Sequence, residues 1–237
     1  MPWFWEGMKS PIRTLSRRRP DQPPGVTPGR PVATALPPGA TWNPGICPVE
    51  ALQEDSGAIA VEFDRCVHCM RCQQPEAGVA WAYDYQWARQ HTPPLPRPFQ
   101  HSIHVRIIDA GDCGACLSEV RQLTGPVYSL HRFGIYVTPT PREADVLLAV
   151  GPVTAGMKAA LREAYQAMPT PKRVVAVGVC ALNGGIFAEG FAVEGGAARV
   201  VPVDVAVGGC PPPPLAILDA LQRVTGRGLA RSGEVRA

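Results

Sequence analysis

Eight cysteines in 237 residues fall into two sets, and their spacing restricts the fold more than any other feature. Cys66, Cys69 and Cys72 form C-x2-C-x2-C, the core of the bacterial iron–sulfur run, in which three thiolates wrap one face of a cube. The full run continues to a Cys-Pro, which would need cysteine at position 76, where this chain has Glu. Cys47-Pro48 supplies such an ending upstream. Where two clusters share such runs, the Cys-Pro cysteine of one run ligates the cluster of the other. Cys47, Cys66, Cys69 and Cys72 therefore make one complete four-thiolate set, and the ligands of a second cluster beside it are missing. A zinc site with His68 as an added donor is the rival; zinc more often uses two cysteine pairs or a Cys/His mix.

The second set is Cys113-Gly-Ala-Cys116, Cys180 and Cys210. From residue 101 onward, short Val- and Ile-rich runs predict strands at His104–Asp109, Ile135–Thr138, Val146–Val150, Val174–Val179 and Val200–Val205. They are apolar on successive residues, as strands buried on both faces are. Helical patterns at about 116–124, 156–168 and 213–224 alternate with them. The pattern predicts an α/β fold, an open, mostly parallel, flavodoxin-like sheet with helices on both faces. All four cysteines then fall just after strand ends, where open sheets carry their functional loops. A redox C-x-x-C is the rival for Cys113 and Cys116, but it leaves Cys180 and Cys210 unexplained. The glycines beside these cysteines are expected to admit a cluster closely and leave N–H groups free for its sulfurs.

Three segments are expected. Residues 1–45 read as a leader: Trp3, Phe4, Trp5 and a basic group within 1–22, then an extended Pro/Gly-rich stretch at 23–45. Aromatic residues beside Lys and Arg suit an anionic membrane surface or a partner, and a disordered tail is the alternative. Residues 46–100 read as a small α+β unit with a strand at Ala58–Phe63, followed by a Pro-rich linker at 86–100. Residues 101–237 are the larger domain. A 46% hydrophobic content is enough for such a core. No run of 18 apolar residues spans a membrane. Arg17-Arg18-Arg19 is followed by prolines rather than an apolar stretch, which argues against export and for a reducing cytoplasm, where close cysteines bind metal. A net charge of +3 argues for no nucleic acid. The loops at 184–185 and 208–209 lack the lysine of a phosphate-binding loop. His91, His101, His104 and His131 have no partner at metal-ligand spacing and read as ordinary residues.

Residues 101–228 resemble the small subunit of membrane-bound, energy-converting nickel–iron hydrogenases of the formate hydrogenlyase type, a family shared with the complex I 20 kDa subunit. The matching stretches are D-C-G-A-C-L-S-E at 112–119, F-G-I-Y-V-T-P-T-P-R-E-A-D-V-L-L-A-V-G-P-V-T at 133–154, G-V-C-A-L-N-G-G-I-F at 178–187 and V-P-V-D-V-A-V-G-G-C-P-P-P-P at 201–214. Complex I members carry adjacent cysteines at the first position, so this C-x-x-C lies on the hydrogenase side. Residues 1–100 resemble the two-cluster ferredoxin subunit of the same complexes with one cluster's ligands lost, so the chain resembles a fusion of two neighbouring subunits.

The resemblance implies two 4Fe–4S clusters, held by Cys47, Cys66, Cys69 and Cys72 and by Cys113, Cys116, Cys180 and Cys210. It implies single-electron relay to an active site in a large subunit, nickel–iron or a nickel-free, quinone- or ion-pump-linked relative. It also implies other iron–sulfur and membrane subunits as partners, and a cytoplasmic place, peripheral on the inner face of the cell membrane. Glu119 matches one acidic residue of the family pattern, implying a part in proton movement, while Leu117 departs from another. A zinc-stabilised scaffold without redox function is the reading from another class.

Overall fold

The computed structural model describes residues 27–35, 43–73, 77, 79–188 and 190–227. The leader expected at 1–22 lies outside the described residues, as does part of the stretch at 23–45.

The amino-terminal half carries β1 (Arg30–Val32), β2 (Thr34–Ala35), β3 (Leu52–Asp55), β4 (Ala58–Val61) and β5 (Ala80–Ala82). β1 pairs with β5, and β2, β4 and β3 make a second antiparallel sheet. Its small core gathers Leu52, Ile59, Cys72 and Ala77. Arg30 of β1 ties the end of β5 by a two-pronged pair with Asp84, at 2.9 and 3.0 Å. The strand expected at Ala58–Phe63 is β4, which ends at Val61; Phe63–Arg65 turn into a 3-10 helix that delivers Cys66.

The larger half adds β6 (Ala88–Gln90), β7 (Ile103–Asp109), β8 (Ile135–Val137), β9 (Val146–Val150), β10 (Arg173–Val177) and β11 (Val205–Val207). They form one sheet in the order β6-β11-β10-β9-β7-β8, parallel except for β6. The helices are α1 (Ala115–Gln122), α2 (Ala155–Ala167), α3 (Val179–Asn183) and α4 (Pro214–Val224). All five β9 residues are buried, and their alternation explains why. Val146, Leu148 and Val150 pack on one face with Val120 of α1 and the apolar side of α4. Leu147 and Ala149 pack on the other with Leu161 and Ala164 of α2. The expected α/β architecture with helices on both faces is the one observed. No helix among the described residues is long and apolar enough to cross a membrane.

Register decides where the site lies. Asp109 pairs with Val150, Val150 with Val177, and Val177 with Val207. Four strands thus end in one row, and the loops that follow leave from a single rim.

Two further expectations change here. The strand expected at Val200–Val205 begins only at Val205: Ala197–Arg199 form a 3-10 turn, and Pro202 has no N–H for a ladder. Residues 88–90 of the expected linker are instead β6, an antiparallel edge strand on β11. Asp204 pins this junction by accepting the Thr92 hydroxyl and the Val174 N–H, each at 2.7 Å.

Candidate functional site

Cys113 and Cys116 are set by two carboxylates, one on the last residue of β7 and one just beyond it. Asp109 Oδ1 accepts the N–H groups of Gly111 and Asp112, at 2.9 and 2.8 Å. Asp112 Oδ2 accepts those of Gly114 and Leu117, each at 3.0 Å, closing the turn that opens α1. Cys180 lies in α3, just past β10, and the strand predicted through Val179 stops two residues earlier because Gly178 turns at φ 85°. Cys210 follows β11 after two glycines. The Gly178 N–H donates to Val207 O and the Val179 N–H to Gly209 O, at 2.8 and 3.0 Å, tying the last two loops together.

The four thiols of this set sense one another. Burial pushes Cys116 far up, with further upward pressure from Asp112, Cys210, Cys180 and Cys113. Burial likewise drives Cys180 to about 12, with Cys210 and Cys113 adding to it. Cys210 is raised by burial and then by Cys113 and Asp112. Cys116, Cys180 and Cys210 thus resist carrying charge alone, which suits a cationic iron core that would offset thiolate repulsion.

In the amino-terminal half, Cys47, Cys66, Cys69 and Cys72 line one cavity with Trp81. The loop between them curls because His68 and Met70 take positive φ, 51° and 61°. The Ala51 N–H donates to Cys47 Sγ at 3.2 Å. Burial lifts Cys66 to about 11 against the His68 backbone N–H, which lowers it; the three other thiols add to the rise. Burial raises Cys72, and Trp81 Nε1, itself buried without a hydrogen-bond acceptor, stands near enough to oppose that rise slightly. An unpaired donor in a thiol-lined cavity fits a cluster sulfur or bound thiolate. Among the described residues, no three His, Cys, Asp or Glu side chains converge as for a single ion. A cubic cluster asks instead for one thiolate at each of four corners.

The glycines divide by task. A Cβ on Gly178 would stand 2.5 Å from Cys116 Sγ, and one on Gly185 2.8 Å from Cys180 Sγ. These two make room for cysteine sulfurs, and their N–H groups are not free for a cluster: Gly178 donates to Val207 O and Gly185 to Asn183 Oδ1. Gly208 and Gly209 make room for the other half instead: a Cβ there would meet Phe63 at 2.8 Å and Trp87 at 2.9 Å.

His68 is not a spare zinc donor. Its Nδ1 accepts the Cys210 N–H at 3.2 Å, which assigns the ring proton to Nε2, 3.2 Å from Gly29 O. Burial lowers its pKa, with the Gly29 carbonyl opposing. Sequence reasoning missed this contact, as well as Trp81 and Asp112. The Cys210–His68 pair spans 142 positions, so no local pattern marks it.

Glu119 sits on α1, one turn past Cys116; burial raises its carboxyl, and Tyr128 nearby is raised by burial and by Glu119. Leu117 packs against the core. His104 lies 3.7 Å from Asp145 and packs tilted against Tyr136, on which His131 stacks, so these two histidines sit in an aromatic group of their own.

Residues 113–224 match the family described as NADH ubiquinone oxidoreductase, 20 Kd subunit. The match starts at Cys113 itself and closes at the last residue of α4. Protein MJ0516 of Methanocaldococcus jannaschii is 47% identical over 131 residues, 55% of this chain and 88% of that protein. Formate hydrogenlyase subunit 7 of Escherichia coli is 41% identical over 124 residues, 52% of this chain. The match spans about half, 49%, of that subunit's own length. Among solved structures, a chain of the membrane-bound sulfane sulfur reductase, an archaeal respiratory membrane complex, is 32% identical with a TM-score of 0.49, covering 54% of this chain and 71% of that one.

Proposed function

We propose, from the premise that this chain belongs to the family of the 20 Kd subunit of NADH ubiquinone oxidoreductase, that it relays single electrons between two 4Fe–4S clusters within an oxidoreductase complex. The observation that carries this reading is the convergence of Cys113, Cys116, Cys180 and Cys210 on one rim of the sheet, with a second four-thiol cavity against it.

In this reading Cys47, Cys66, Cys69 and Cys72 hold the ferredoxin-like cluster, and Cys113, Cys116, Cys180 and Cys210 hold the proximal one. When bound, the two clusters supply one-electron carriers whose potentials follow hydrogen bonding and exposure. The chain's own residues do the rest. Asp112 fixes the first cysteine loop, Gly178 and Gly185 admit the sulfurs, and Trp81 offers a donor to the other set. Glu119, whose carboxyl holds its proton more tightly than usual, stands beside the proximal site for proton transfer at a partner contact. That partner is a hydrogenase-type large subunit bearing nickel and iron, inside an assembly with other iron–sulfur and membrane subunits. The chain itself is cytoplasmic and peripheral on the inner face of the membrane.

The test is oxygen-free purification of the chain with whatever partners co-elute, followed by iron, zinc and nickel analysis and EPR after dithionite reduction. About eight irons per chain and two reduced signals are expected. Nickel in a co-eluting partner is expected as well; its absence alongside eight irons points to the nickel-free relative. Zinc in place of iron overturns the relay.

A further inference from the structure

The two thiol sites meet at one side chain. His68 lies between Cys66 and Cys69, and its Nδ1 accepts the backbone N–H of Cys210, a cysteine of the other set. Both ring nitrogens are engaged by backbone groups, Nε2 with Gly29 O. The ring stacks on Trp87, with centroids 5.2 Å apart and planes 16° from parallel, and takes the edge of Phe63 at 5.5 Å.

That frame is itself anchored. Trp87 is buried, and its Nε1–H donates to Asp84 O and Oδ1, each at 3.0 Å. The same carboxylate holds Arg30, whose guanidinium lies over Phe63. From the opposite side, Gly208 and Gly209 leave room for Phe63 and Trp87 that a Cβ at either position would take. A left-handed φ of 51° at His68 turns its side chain out of the cysteine loop and toward Cys210. Four features thus serve one contact, two of them through the Asp84 carboxylate.

We propose that His68 is a positioning residue that locks the two four-thiol sites into a single unit, fixing the Cys210 backbone relative to Cys66 and Cys69. The inference rests on the two-cluster reading for its magnetic readout, though not for its exchange readout. The ring gains and loses neither electron nor proton; it sets the separation and orientation across which an electron passes.

The experiment compares the full-length chain, purified without oxygen, with His68→Phe and His68→Asn. Phe keeps a ring on Trp87 and loses the acceptor, whereas Asn restores an acceptor near Nδ1 and tolerates the left-handed backbone. In the doubly reduced wild type, the EPR spectrum is expected to show magnetic interaction between two signals at a defined separation. His68→Phe, with the same iron content, is expected to lose that defined interaction. Its Cys210 amide should exchange hydrogen about two- to tenfold faster, the factor one lost hydrogen bond carries. His68→Asn is expected to restore both. An unchanged interaction and unchanged exchange in His68→Phe overturn the proposal. Should His68→Phe lose iron, Trp87→Leu decides by the same two readouts, since it leaves every thiol and the His68 nitrogens in place. Fewer than eight irons in the wild type would sink the relay instead, and Cys210 exchange would still judge the His68 contact.

Discussion

A methyl group on Gly178 would stand 2.5 Å from the sulfur of Cys116, on a residue whose φ of 85° already disfavours any side chain. Gly178→Ala therefore strains the backbone and displaces a thiol together. The expected cost is about 1–3 kcal/mol, with selective loss of one cluster. Iron should fall from about eight to about four per chain while the other reduced signal persists. Retention of all iron would show that the close approach is not needed.

The two thiol sets should also fail separately. Cys47→Ser removes one corner of the first set and leaves the rim of the parallel sheet untouched. Cys210→Ser does the reverse. Each is expected to remove one reduced EPR signal, a different one in each case, with about four irons remaining. Loss of the same signal in both would mean the eight cysteines are divided differently.

Asp204 holds the junction between β6 and the parallel strands by accepting the Thr92 hydroxyl and the Val174 N–H. Asp204→Ala removes a charged acceptor from both donors at once. The expected loss is about 2–3 kcal/mol, seen as a melting temperature lower by about 5–10 °C. Asp204→Asn, which keeps one acceptor oxygen, should recover part of it.

Burial raises the Glu119 carboxyl, so the folded chain favours its protonated form. Stability from this group is present below the ordinary carboxylate range and is lost as pH rises through the raised value. Glu119→Gln, always neutral, escapes that loss. Melting temperatures measured between about pH 4.5 and 7.5 should show the variant gaining on the wild type as pH rises. Parallel curves would mean that ionising Glu119 costs the fold nothing.

The sheet was legible because β9 and most of β10 are buried on both faces and read as runs of Val, Leu and Ala, whereas only Val205 of β11 falls in the strand expected there. The cysteines at their ends were legible for the same reason, since the rim follows from parallel register. β6 was not: Ala88, Arg89 and Gln90 show neither alternation nor β-branched residues, and pairing with β11 alone makes them a strand. Val200 and Val201 were misread because apolar residues at the rear of the sheet pack into the core without joining a ladder. The tasks of Gly208 and Gly209 were hidden too, since a Gly-Gly-Cys-Pro run reads as a cluster loop whichever side fills the space.

Because β6 takes the free edge of β11, a chain cut near residue 100 would leave that edge bare, with a row of backbone donors and acceptors facing outward. Such a fragment, though it holds all of the matched family region, would offer its flank as a template to the next copy. In the full chain the segment before residue 100 keeps that flank covered.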